Sequence, residues 1–273
     1  MAFLLEPDAY ASVRPLFEEM SYHLAVTTVL AGILPGRVYV DNPTNPGAAV
    51  LIPSNQHRIC VSGEPSPHLL ADVFDLLFKE SLAESYGFVV YYDTSHPWKS
   101  TLEDVLQKQE ISSGWRQLYS LRKPPSPIAQ PLPEHMTIRR INEVMIEDAT
   151  LGNKDLLVEE IHSESPSLEH FFRQNFGFCA QNDSQLVAWC LAEYHYQGRY
   201  ELGIETLEAY QRQGIATHLA TTVIRHAFDR GAVEIGWHCW ATNTPSIATA
   251  LKVGFEKVLD YPVCYGQYRQ ALV

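Results

Sequence analysis

The sequence predicts a mixed α/β (α+β) fold in two halves, and three observations predict it. In residues 134–273, short runs with strand alternation are interleaved with stretches of helical spacing, the order expected when a sheet packs against helices. The segment Lys123-Pro124-Pro125-Ser126-Pro127, continuing to Pro131 and Pro133, suits neither a helix nor a central strand and marks a boundary. Residues 1–125 then show an element order that the second half repeats. The expected organisation is a domain over 1–125, a proline-rich linker over 126–133 and a second domain over 134–273.

In the first half, two helices are expected within 8–31. Strands at 37–41, 48–53 and 58–62 follow, then a helix at 68–84, a strand at 87–92, a helix at 101–109 and a strand at 115–121. In the second half, Thr137–Ile141 reads as a short strand, with helices near 143–151, 155–162 and 167–175. Strands at 177–182, 186–196 and 199–206 are punctuated by Asp183-Ser184 and Gln197-Gly198. A helix over 216–230 carries Leu219, Ala220, Val223, Ile224, Ala227 and Phe228 at helical spacing, and Gly231 suits its C-terminal cap. A strand at 233–238 precedes a helix opened by Thr244 as N-cap and Pro245 as first helical residue. That helix ends at Gly254, and 255–259 and 263–268 read as two closing strands.

The repeat is visible in landmarks. Gly87 and Gly231 both precede the fourth strand, and Gly114-Trp115 and Gly254-Phe255 both end the last helix, at similar offsets. An internal duplication explains this; the alternative is two α/β domains that share an order by accident.

Composition narrows the function classes. The net charge of −12 is spread over both halves and argues against a nucleic-acid surface, while suiting a cationic amine substrate. No apolar run reaches the ~20 residues that cross a bilayer, and the first residues lack a secretory pattern, so a cytoplasmic protein without membrane association is expected. The five cysteines, Cys60, Cys179, Cys190, Cys239 and Cys264, are widely spaced without a C-x-x-C pair and read as buried thiols. No metal site is expected. Glu159-x-x-His162 has the spacing of half a di-iron motif but no second copy, and reads as a surface helix. There is no G-x-S-x-G elbow, H-E-x-x-H or P-loop lysine.

The most informative stretch is Gln211-Arg212-Gln213-Gly214-Ile215-Ala216, between a strand and a helix. Unpaired N–H groups and the positive end of a helix dipole make such a junction an anion site. Gly214 lets the backbone approach an anion, and Ala216 keeps the first turn slim. The pattern Q/R-x-x-G-x-G/A resembles the pyrophosphate loop of the GCN5-related N-acetyltransferase (GNAT) superfamily. The tail Asn243-x-x-Ser246 … Lys252-Val253-Gly254-Phe255 resembles that family's late motif, and Glu205-Thr206-Leu207-Glu208 and Trp237-x-Cys239 also fit. Covering residues 134–270, the resemblance implies a mixed, mostly antiparallel sheet flanked by helices. It points to a two-part (tandem) GNAT protein with a degenerate N-terminal copy. In that copy the matching junction is Ser62-Gly63-Glu64-Pro65-Ser66-Pro67, whose prolines remove donors and whose Glu64 repels phosphate, so one active site per chain is expected.

The resemblance implies acetyl-CoA as cosubstrate. Backbone N–H groups of Gln213, Gly214, Ile215 and Ala216, next to Gln211, would face the pyrophosphate, with the Thr217 hydroxyl added. Arg212 would pair with a phosphate or remain a solvated arginine. Main-chain groups of Thr206 and Leu207 would hold the pantetheine arm and polarise the acyl carbonyl. Asn243 and Ser246 match arm-contacting positions, although Asn243 alternatively starts a helix. Glu201 and Glu205 share one strand face; Glu205 is the expected base, with Glu201 beside it, His238 an alternative, and a solvated charge the other reading of each carboxylate. Where many relatives carry an acid tyrosine this chain has Ala250, so Tyr265 or another C-terminal tyrosine would substitute.

The resulting expectation is an acetyl-CoA-dependent N-acetyltransferase acting on a small amine by direct attack in a ternary complex, as monomer or homodimer. The alternatives are a non-catalytic acyl-CoA-binding or interaction protein with the same fold, and an enzyme using a longer acyl donor.

Overall fold

A computed structural model of the chain describes residues 1–54, 58–80, 87–109, 111–128 and 130–267. The expected helical turn at 81–84 and Tyr268 lie outside these residues. The chain forms two compact units, Met1–Trp115 with Pro262–Val273, and Arg116–Tyr261.

The first half of the chain holds β1 (Phe3–Leu4), α1 (Leu24–Leu30), β2 (Gly36–Val40), β3 (Ala48–Pro53), β4 (Arg58–Gly63), α2 (Pro67–Glu80), β5 (Gly87–Tyr92), α3 (Trp98–Val105) and β6 (Ser112–Leu121). The two helices expected at 8–31 are instead two 3-10 segments, Pro7–Ser12 and Arg14–Met20, followed by the short α1. Pro7 and Pro15 each occupy the first turn of one segment, where a missing N–H costs nothing. α2 buries Leu69, Leu70, Val73, Phe74 and Leu77, which pack with Val50, Ile52, Ile59, Val61, Phe88 and Val90 of the strands. Each large apolar side chain buried in this contact contributes about 1.5–3 kcal/mol.

The second half holds β7 (Met136–Arg140), α4 (Glu143–Glu147), α5 (Lys154–Glu164), α6 (Leu168–Gln174), β8 (Phe176–Asn182), β9 (Gln185–Tyr196), β10 (Arg199–Thr206), α7 (Ile215–Asp229), β11 (Glu234–Trp240), α8 (Thr244–Lys252) and β12 (Glu256–Gln267). Strand alternation divides the side chains between two cores. Ala188, Cys190, Tyr200, Leu202, Ile235 and Trp237 pack with Leu219, Ala220, Val223, Ile224 and Ala227 of α7. Cys179, Trp189 and Leu191 pack on the other face with Leu157 and Ile161 of α5 and Phe171 of α6. The two closing strands expected at 255–259 and 263–268 are one strand, β12, which continues through Pro262. All five cysteines are buried and free.

The two units repeat one pairing scheme. β2, β3 and β4 are antiparallel neighbours and β4 pairs parallel with β5. β8, β9 and β10 are antiparallel neighbours and β10 pairs parallel with β11. The last strand of each copy is exchanged. Arg116–Leu121 of β6 pairs antiparallel with β11, whereas Val263–Gln267 of β12 pairs antiparallel with β5. The unit boundaries therefore fall inside β6 and β12, and the proline-rich segment at 124–133 lies within the second unit rather than between units.

Candidate active site

The site begins where two strands part. β10 and β11 pair only from Arg199↔Glu234 to Leu202↔Trp237. Beyond that point β10 continues along β9 to Thr206 and β11 continues along β6 to Trp240, leaving a cleft between them. The chain then makes a 3-10 turn at Glu208–Tyr210 and reaches α7 through Gly214, whose φ of 83° is left-handed. Arg212 also adopts a positive φ, 60°, and among the described residues its exposed guanidinium has no ion-pair partner. No side chain caps the start of α7.

The glutamines brace this loop. Gln211 Nε2 donates to the Thr206 carbonyl at 3.0 Å and Gln213 Nε2 to the Ala209 carbonyl at 3.2 Å. The Gln211 N–H is held by the Glu208 carbonyl, so this residue supports the loop rather than lining it. Ile215 is buried in the α7 core and Thr217 is buried, so their side chains face inward. Leu207 departs from its expectation in part: its N–H donates to the Val187 carbonyl and so is taken within the fold, and its carbonyl accepts from the Tyr210 N–H. The Thr206 carbonyl, expected to serve the arm, accepts from Gln211, while the Thr206 hydroxyl oxygen is buried without a partner among the described residues. An uncapped helix start, a free arginine and an orphan hydroxyl beside a strand cleft suit a phosphate-bearing thioester.

Asn243 is the N-cap of α8, accepting the Ser246 N–H at 3.1 Å, so the cap lies one residue before the expected Thr244. Ser246 Oγ accepts from Trp237 Nε1 at 2.9 Å. Both side chains therefore already serve the junction of α8 with β11.

The face of β10 away from α7 is acidic. Glu201 is 2% exposed and Glu205 is exposed, so the two share a face but not an environment. A bulge shifts the pairing between Glu201↔Tyr194 and Leu202↔Ala192, leaving Glu193 as the extra residue of β9. Its carboxylate lies over Gly203, where an added Cβ would fall 1.6 Å from Glu193 Oε1. The bulge thus aims a third carboxylate between Glu201 and Glu205. Glu160 of α5 is a fourth: burial, then Glu164 and Glu205, push its carboxyl up to about 7. Tyr194 donates to Glu164 on the same face. The indole N–H of Trp189, the cross-strand neighbour of Glu205, is buried without a partner among the described residues.

The deepest part of this face is a three-residue chain. His238 Nδ1 lies 2.7 Å from Tyr261 Oη, and its Nε2 lies 3.8 Å from Glu201 Oε2. Tyr265 is elsewhere: it pairs with Val89 of β5 and belongs to the first unit. Glu159 and His162 are exposed on α5. The sequence singled out neither Glu160 nor Glu193, and held Tyr261 only among the C-terminal tyrosines. A glycine between two glutamates was the one signal for Glu193, because a missing side chain leaves room for another. Among the described residues no group of His, Cys, Asp or Glu could hold a metal ion, and no helix is long and apolar enough to cross a membrane.

A mixed sheet whose central parallel strands part beside an uncapped helix start is the architecture of a GNAT acetyltransferase. The family model for GNAT acetyltransferase matches residues 14–264, and the chain belongs to that family. It is 27% identical over 261 residues, covering 96% of this chain and 97% of the relative, to the uncharacterized N-acetyltransferase YdfB of Bacillus subtilis (strain 168). Among solved structures, a GCN5-related N-acetyltransferase-like protein from Streptococcus suis 89/1591 superposes with TM-score 0.73 at 19% identity, covering 95% of this chain and 98% of that one. A tandem GNAT protein from the clavulanic acid biosynthesis pathway gives TM-score 0.61 at 10% identity, covering 99% of each chain. These likenesses extend the GNAT fold over both halves.

Proposed function

We propose that the chain is an acetyl-CoA-dependent N-acetyltransferase that acylates a small amine by direct attack in a ternary complex. The observation that carries this reading is the parting of β10 and β11 beside the uncapped start of α7. Acetyl-CoA supplies an activated acyl group as a thioester. The N–H groups from Gln213 to Ala216 and the Arg212 guanidinium hold its phosphates, and the cleft edge of β10 as far as Thr206 orients the arm. The family's acetyltransferase name and that of its Bacillus relative support the reaction class.

The acceptor approaches over the acidic face. Glu160, Glu193 and Glu205 attract a cationic amine, and Glu205, the exposed member at the cleft, takes a proton from it. Isothermal titration calorimetry tests the first step: acetyl-CoA binds with micromolar affinity, and the absence of heat at millimolar ligand sinks the reading. Thiol release with a panel of primary amines tests the second. Glu205→Gln is expected to lower kcat by about 10- to 100-fold with little change in acetyl-CoA affinity. Ala250 at the usual tyrosine position favours one rival, a coenzyme-binding protein without catalysis, which would bind acetyl-CoA yet release no thiol.

A further inference from the structure

We propose that Gln130 is a coenzyme-binding residue and that the proline-rich segment at 124–133 is the strap that delivers it, with the Gln130 carboxamide donating to a coenzyme phosphate at the turn before α7. This rests on the acyltransfer reading above and adds a residue outside the 211–216 loop.

Position comes first. β6 pairs with β11 and β7 with β8, so the chain between β6 and β7 must cross the sheet of the second unit. It crosses on the side of α7: Pro125 is buried, and its carbonyl accepts from Arg225 Nη2 at 3.2 Å. Five residues further on, the chain meets the other end of the helix. If Gly214 carried a Cβ, the atoms nearest to it would be Gln130 Nε2 at 3.6 Å and Gln130 Cδ and Oε1 at 3.7 Å. Gly214 and Arg225 are 11 residues apart, about three turns, so they lie on one face of α7. The rise between them, about 16 Å, matches the reach of five residues of extended chain.

The composition of the segment suits a strap. Five prolines in the ten residues from 124 to 133 restrict φ and remove N–H groups, which favours an extended chain and disfavours both helix and ladder. A stiff chain has less conformational freedom to lose, so a side chain that it carries is ordered at lower cost. Joining β6 to β7 requires length alone. A stiff segment tied by its carbonyl to one end of α7 also fixes which residue reaches the other end.

The chemistry follows from how the carboxamide lies. Its three near-equal distances set its face, not its edge, against the turn. The N–H donors lie in the plane of the amide, so they run alongside the turn rather than into it. Gln130 is exposed, and among the described residues its carboxamide has no hydrogen-bond partner. A purely structural role would spend those donors on the fold. Beside them stand the positive end of α7, which no side chain caps, and the exposed Arg212. His218, one turn into α7 on the same face, has a buried Nε2 without a partner among the described residues. Ionised phosphate oxygens only accept, so these donors converge on one class of ligand, a phosphate-bearing one.

The test is acetyl-CoA calorimetry on the whole chain at low and high salt. Gln130→Ala is expected to weaken binding about fivefold. Gln130→Glu sets a carboxylate beside the phosphates and is expected to weaken it about 30-fold at low salt, with the excess over alanine shrinking at high salt. Both changes fall on an exposed side chain, so the variants fold. Arg225→Ala unties the strap and is expected to cost about threefold in the wild-type background and nothing further in Gln130→Ala. Wild-type affinity in Gln130→Ala, or equal losses for alanine and glutamate at both salt concentrations, overturns the role of Gln130. Additive losses for Arg225→Ala and Gln130→Ala overturn the strap. Each of these results leaves the acyltransfer reading standing, whereas a wild-type protein that binds no acetyl-CoA removes both.

Discussion

The two strand-to-helix junctions occupy the same place in the topology and have opposite chemistry. In the second unit, β10 and β11 part, Gly214 turns the chain and α7 starts uncapped. In the first, the Asp93 N–H bonds the Val61 carbonyl and closes the end of the β4–β5 ladder. Trp98 Nε1 donates to the Gly63 carbonyl at 2.9 Å, and the Ser66 side chain and carbonyl take the Leu69 and Leu70 N–H groups. Glu64 adds a carboxylate 3.4 Å from His96. What one junction leaves uncapped, the other satisfies internally.

The carboxylates differ in the same sense. Burial raises the Asp93 carboxyl, but the Ser95 hydroxyl and N–H and then His96 outweigh it and hold it below its usual range. Asp93 therefore stabilises the first unit above the unfolded carboxyl range and loses that contribution as pH falls. Glu160 is pushed the other way by burial and like charges. Its contribution is complete below about 4.5 and is lost as pH rises through about 7. At neutral pH the Glu160 environment opposes its charged form, whereas that of Asp93 favours it.

The comparison can be broken at four points. Gly63→Ala should destabilise the protein by about 3 kcal/mol in urea unfolding, because φ is 82° and the new Cβ would lie 2.3 Å from the Gly47 carbonyl oxygen. Coenzyme affinity of the folded fraction should not change. Gly214→Val should do the reverse: acetyl-CoA affinity falls by about 2 kcal/mol, roughly 30-fold, with a smaller loss of stability. Equal effects of both changes on binding would refute the division of roles. Glu160→Gln should raise stability at pH 8 by about 1–2 kcal/mol and flatten the decline in melting temperature between pH 5 and 8. Arg212→Ala should weaken acetyl-CoA binding about fivefold, and the difference should shrink in high salt.

Much of this was legible in the sequence. Strands and helices followed from apolar spacing, and the junction at 211–216 from one glycine between two periodic segments. What escaped was non-local. Exchange of β6 and β12 depends on pairings between distant residues, which no local pattern encodes. The cap of α8 stayed open between Asn243 and Thr244 because Asn and Thr both suit that role, and the fold places it at Asn243. The break expected between strands at 255–259 and 263–268 is absent because the strand accommodates Pro262, and that continuity puts Tyr261 on His238 and Tyr265 in the first unit. Glu160 looked like any helix-surface glutamate; only the packed α5 shows the like charges around it.

The exchange of strands also bears on synthesis. β5 emerges from the ribosome about 170 residues before Val263–Gln267 can join it. Until then the open edge of β5 is a template for any passing strand, and the early half of the chain waits with its sheet unfinished. A protein built this way should need a holding chaperone while it is being translated, and should mature as a whole rather than half by half.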